Sequence, residues 1–193
     1  MKGFDPKFKD FTDYIISITK EIWEGREISS LHKYYDKDII VRSPSSVVVG
    51  NQKVIDATIS TLAEFPDRTL YGEDVIWSGN PNLGMLSSHR IQSTASHITP
   101  GIYGNPSGKK LNYRIIADCH AKNNKIDDEW LIRDQGAIVK QLDWDPKDFA
   151  RDLISREGGP EKCVKPYSYD NDIKGPYKGK GNDNEWGELF SDI

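Results

Sequence analysis

Cysteine is scarce in this chain of 193 residues: Cys119 and Cys163 are the only two. That excludes a disulfide-stapled scaffold, fits a reducing compartment and makes no metal-ligand spacing. Histidine is nearly as rare, with four residues too scattered along the chain to suggest a metal site. A glycine-rich phosphate loop and a strand-turn-helix nucleophile elbow are both missing. No apolar run is long enough to cross a bilayer. The opening residues, MKGFDPKFKDFTDY, lack the apolar core of a signal peptide. The expectation is therefore a cytoplasmic protein with no membrane partner. A net charge of −4 leaves no basic excess for nucleic acid, so no nucleic-acid partner is expected either.

What is present is an ordinary globular composition, 36% hydrophobic and 29% charged, in a length that suits one domain with a real core. Mean hydropathy of −0.65 lies on the polar side and suggests that part of the chain is solvated tail. Over residues 5–24, Phe8, Phe11, Ile15, Ile18 and Ile22 recur at steps of three and four, the stripe of an amphipathic helix stopped by Gly25. A shorter helix is expected over residues 28–35, capped by Ser29 or Ser30. A third follows Gly50, capped by Asn51 and broken at Phe65-Pro66-Asp67. Residues 38–42 and 47–49 read as short strands.

From residue 69 onward the pattern turns β-rich, with strands expected over residues 69–78, 84–99, 111–120 and 126–134. A loop over residues 100–110 carries Gly101, Pro106 and Gly108. Residues 122–125 form a hairpin turn in which Asn124 takes positive φ. Residues 137–142 read as one more strand, and Asp145-Pro146 opens a helix to about Arg156. Helices first and an antiparallel meander afterwards make an α+β domain. The expected organisation is a domain over residues 1–156 and a polar extension over residues 157–193. That extension is rich in aromatics (Tyr167, Tyr169, Tyr177, Trp186) and is expected to wrap the domain. The end, from Trp186, echoes the stretch from Phe8, which leaves open a second repeat in a longer parent chain.

The candidate chemistry centres on KIDDEWLIRDQGAIVKQL, residues 125–142. Trp130, Ile132 and Asp134 fall at period two and share one face of a strand. A carboxylate on such a face is either a surface residue at a strand end or a group facing an apolar pocket. In the pocket, loss of water raises its pKa and suits it to proton transfer. Asp118 and His120 form a rival pair on a face with Arg114 and Ile116, alongside the reading of Asp118 as an ion-pair partner of Arg114. His32 and His89 have no evident partners. Arg90 could bind an acidic substrate or lie exposed. Trp77 and Trp130 could line a pocket or serve as core aromatics.

Several of these markers occur in a recognisable order: Gly50 opening a helix that ends in Phe65-Pro66-Asp67, the strand with Arg90 and His97, the loop Asn105-Pro106-Ser107-Gly108-Lys109, and Glu129-Trp130…Asp134…Gln141-Leu142. Together they resemble the SnoaL-like polyketide cyclase family of the nuclear-transport-factor-2-like superfamily, over about two-thirds of the chain. The match is incomplete. Thr99 stands where the family has a glycine after its histidine, Asn123-Asn124 replaces Asp-Gly in the last hairpin, and Arg42 replaces an early histidine. The resemblance implies a cone-shaped α+β barrel, a strongly curved antiparallel sheet wrapped by three N-terminal helices around an apolar pocket. It implies an enzyme that needs no metal or organic cofactor and performs acid/base chemistry on a hydrophobic carbonyl compound. Asp134 would be the catalytic acid/base and His97 its orienter or oxyanion donor; Trp77, Trp130 and Arg90 are the substrate-contact candidates read from the residues themselves. It also implies a homodimer formed through the outer sheet face. The alternative on the same scaffold is a non-catalytic ligand-binding or assembly domain.

Overall fold

The computed structural model describes residues 1–44 and 46–163. The aromatic extension and the echo of the N-terminal helix at Trp186 lie outside the described residues. Helix α1, Phe11–Thr19, starts where the Asp10 carboxylate accepts from the Asp13 amide at 2.8 Å. It runs on through a π-helical turn, Lys20–Glu24, and closes with the Gly25 amide donating to the Lys20 carbonyl at 2.8 Å. The expected helix over residues 5–24 therefore begins later. Asp5 precedes Pro6, which disfavours helical backbone, and the Asp5 carboxylate accepts from the Lys7 amide instead. Phe4 and Phe8 still join the core, edge-on to Tyr14 at 5.0 and 5.1 Å. A 3-10 turn leads into the short helix α2, Leu31–Tyr34, and neither Ser29 nor Ser30 caps it. Ser30 donates instead to Glu21 at 2.9 Å.

Strands β1, Tyr35–Ser43, and β2, Ser46–Val49, form a hairpin that leads into helix α3, Asn51–Glu64. The cap position of α3 is Gly50, at φ 95°, a backbone conformation that suits glycine. Asn51 is already helical, and its side chain donates to the Tyr35 carbonyl at 3.3 Å. Four long strands follow: β3, Thr69–Asn80; β4, Gly84–Ser96; β5, Lys110–Lys122; and β6, Lys125–Arg133. The β5–β6 turn has both Asn123 and Asn124 at positive φ, the two-residue hairpin that matches sheet twist.

The stretch expected as a last strand is a helix, α4, Gln135–Gln141, and α5, Pro146–Arg156, follows. Ala137, Ile138 and Val139 form a consecutive apolar run, which fits one turn of a buried helix as well as a strand. The Asp134 cap decides between the two by satisfying the Ala137 amide.

The sheet order is β2-β1-β6-β5-β4-β3. All joins are antiparallel except β1–β6, which is parallel, so the expected antiparallel sheet is mixed. It is strongly curved and open, with β2 and β3 as its edges, so it is not closed into a barrel. Buried across the parallel join, Arg42 donates to Asp128 at 2.5 Å, and its guanidinium stands 5.3 Å from the Trp130 ring centroid. The concave face carries Met85, Ile91, Ala95, Leu111, Ile115 and Ala117, all part of the buried core. No helix among the described residues is long and apolar enough to cross a membrane.

Candidate active site

The concave face holds a partly open cavity of about 260 Å³ between the sheet, α1 and α3. Its walls are mostly aliphatic, from Ile15 and Ile18 of α1, Val54 of α3, Val41 of β1, Ile91 of β4 and Leu131 of β6. Against that lining stand a few polar groups: Tyr35, Arg68, His89, Glu129 and Arg133.

Glu129 reaches the cavity because of a β-bulge. Ala121 pairs with Ile126, and His120 pairs with Asp128, so Asp127 is the extra residue and the alternation of β6 flips across it. His120 Nδ1 lies 2.5 Å from Asp127 Oδ1 and pins the bulge on the convex side. Before the bulge Ile126 faces inward. After it, Glu129, Leu131 and Arg133 face inward while Trp130 and Ile132 face out. Glu129 is 5% exposed. Burial raises its pKa from 4.5 to about 7, against a hydrogen bond from Tyr35 that lowers it, while the neighbouring Asp128 charge adds to the rise.

His89 lies two strands across the sheet from Glu129 and two residue pairs along it, paired with Ala117 on β5 and Val75 on β3, whereas Glu129 pairs with Cys119. It is 2% exposed, and burial pushes its pKa down to about 4, so it is neutral at ordinary pH. Its Nε2 has no hydrogen-bond partner among the described residues. Gly72 leaves the space for that ring: a Cβ there would sit 2.8 Å from Nε2. A buried carboxyl that titrates near neutrality and a neutral imidazole on one apolar wall can move a proton and donate to a developing oxyanion.

The residues expected from the sequence lie elsewhere. Asp134 is exposed, one residue beyond β6, where its carboxylate accepts from the Ala137 amide at 2.9 Å as the cap of α4. His97 is buried, but under the loop: its Nδ1 is 3.1 Å from the Ser107 hydroxyl, and its ring tilts against Phe65 at 6.1 Å. Arg90 is half exposed on the convex face and pairs with Glu73 at 3.2 Å. Trp77 is 50% exposed and edge-on to Phe11 at 6.1 Å. With Trp130 it lines a second groove, of about 430 Å³, rather than the concave cavity. Of the rival pair, His120 holds Asp127, Asp118 lines that same groove, and Arg114 donates to Glu73.

Sequence reasoning missed Glu129 and His89 as cavity residues. One signal was available for the first. Three consecutive acids, Asp127-Asp128-Glu129, sit inside a strand, so at least one must face inward.

No curated protein matches the chain. Solved structures share the fold. IdmH from Streptomyces antibioticus is 18% identical, with a TM-score of 0.59 over 68% of this chain and 96% of its own. AclR from Streptomyces galilaeus is 17% identical, with a TM-score of 0.58 over 68% of this chain and 85% of its own. A SnoaL-like polyketide cyclase from Agrobacterium tumefaciens is 15% identical, with a TM-score of 0.55 over 67% of this chain and 95% of its own. Residues 14–142, which include most of α1, all of α3 and the whole curved sheet, match the family model, and the chain belongs to the SnoaL-like polyketide cyclase family.

Proposed function

We propose that this protein is a cofactor-independent acid/base enzyme acting on a hydrophobic carbonyl compound held in the concave cavity. The observation that carries the reading is the buried Glu129 carboxyl, whose pKa of about 7 suits both taking and returning a proton near neutral pH. Glu129 removes a proton from the carbon next to a carbonyl, leaving an enolate. His89, neutral, hydrogen-bonds the enolate oxygen where charge develops. In an aldol cyclisation, the enolate carbon then attacks a second carbonyl carbon of the same molecule. One carbon–carbon bond forms, and the proton on Glu129 passes to the new alkoxide. Isomerisation follows the same first step, with the proton returned to another carbon. The aliphatic walls exclude water from the enolate.

The setting assigned to the protein is the cytoplasm, supported by the two free cysteines. Its assembly is a homodimer through the convex sheet face.

The test is α-proton exchange on 2-tetralone in deuterated buffer, followed by NMR. The wild-type protein accelerates exchange, Glu129→Gln loses about a hundredfold or more of that acceleration, and Asp134→Asn keeps it. Full exchange in Glu129→Gln with loss in Asp134→Asn would return the base to Asp134. Binding without exchange in the wild type would favour a ligand-binding domain.

A further inference from the structure

The cavity holds a second polar group of a different kind. Arg68, just before β3, is 5% exposed and lines the cavity, and so does Arg133 at the end of β6. Neither makes a salt bridge among the described residues, and the Nε of each is buried without a hydrogen-bond partner. Apart from burial, the charges acting on Arg68 are those of Arg133 and Arg26, with only the Tyr113 hydroxyl favouring its charged form. Arg26 is committed elsewhere: its Nη2 donates to the Pro66 and Arg68 carbonyls at 3.0 and 2.9 Å. Two guanidiniums that repel each other in one mostly aliphatic cavity, neither paired with a carboxylate, suit an anionic ligand.

We propose that Arg68 and Arg133 form a carboxylate-binding subsite, and that the substrate is a hydrophobic carbonyl compound bearing a carboxylate remote from the reacting carbon. The planar fork of arginine suits a carboxylate, which two such forks clasp from different directions. Position fits the rest of the cavity. Arg133 is four residues from Glu129 on the same face of β6, roughly 13 Å along the strand, and His89 on β4 stands level with Leu131, between those two rows. A ligand whose carboxylate rests on the arginines thus presents carbons several bonds away to Glu129 and His89. The arginine pair fixes that register and keeps the ligand's negative charge away from the Glu129 carboxylate, which must itself ionise.

This inference rests on the cavity being the substrate site, and its test separates the two. Calorimetric titration compares 4-oxo-4-phenylbutanoate with its neutral amide, 4-oxo-4-phenylbutanamide. Wild-type protein binds the acid at least about tenfold tighter, the equivalent of ~1.4 kcal/mol. Arg68→Gln and Arg133→Gln each bring the acid down to the level of the amide and leave amide affinity unchanged, which also reports an intact cavity. Arg133 is only partly buried, so its variant remains informative should Arg68→Gln not fold. Glu129→Gln keeps the preference for the acid. Loss of α-proton exchange without loss of that preference therefore assigns base and anion site separately. Equal affinity for acid and amide in the wild type, binding of neither, or a preference that survives both arginine variants overturns the subsite.

Discussion

Glu129 and His89 titrate in opposite directions, and the folded protein responds to each differently. The pKa of Glu129 rises on folding, from 4.5 to about 7. The folded state therefore favours its neutral form, a contribution fully present below pH 4.5 and lost as pH rises through 7. The pKa of His89 falls, from 6.5 to about 4. Its contribution is full above pH 6.5 and is lost as pH falls through 4. Replacing Glu129 by Gln removes the alkaline loss alone. The stability of Glu129→Gln relative to wild type should therefore rise by about 3 kcal/mol between about pH 4 and about pH 8, measured by urea unfolding at both. A difference that stays constant with pH would mean that Glu129 is solvated in the folded protein. At this scale the sequence was least legible. His89 stood in the β4 alternation with no partner in sequence, because what makes it notable, a ring seated against Gly72 with an unpaired Nε2, depends on another strand. Arg68 is likewise marked only by the company it keeps in three dimensions.

Among the elements, β6 and α4 explain why the most conspicuous carboxylate in the sequence is not in the cavity. Period-two reading correctly placed Trp130 and Ile132 on one face, but the bulge at Asp127 turns that face outward and gives the inner one to Glu129, Leu131 and Arg133. A single extra residue inverts every later assignment, and no local pattern in residues 125–133 announces it apart from the three acids. At the end of β6, Asp134 opens α4 by accepting from the Ala137 amide. Asp134→Ala should lower stability by about 1 kcal/mol, while Asp134→Asn, which can cap equally well, should change it little. Paired unfolding curves of the two variants measure this. A large loss in Asp134→Asn would mean that the carboxylate charge, rather than its acceptor oxygen, matters at this position. The other boundaries were readable where a side chain acts locally, as with Asp145-Pro146 at the start of α5 and Asn123-Asn124 between β5 and β6.

For the molecule as a whole, the order of helices and strands was legible because periodicity is a local property, and the family motifs lie along the same order. The parallel β1–β6 join was not, since it brings together segments that are far apart in sequence, and its buried Arg42–Asp128 pair carries no local mark. The sheet's convex side poses the remaining whole-molecule question. Ile76, Leu86 and Ile132 are exposed there, on β3, β4 and β6, next to the Glu73, Arg90 and Arg114 ion pairs. An apolar patch with a charged rim is how a protein–protein interface is built. Two copies meeting face to face through a two-fold axis would bury each patch on its counterpart, without altering the concave cavity on the other side of the sheet. Size-exclusion chromatography with light scattering should therefore give twice the 21.9 kDa of one chain. Ile132→Arg should return it to a single chain, because two like charges would meet across the axis region without water. α-Proton exchange should persist in that variant, since Ile132 points away from Glu129. A wild-type mass of one chain at high protein concentration would remove the dimer and leave this face to another partner.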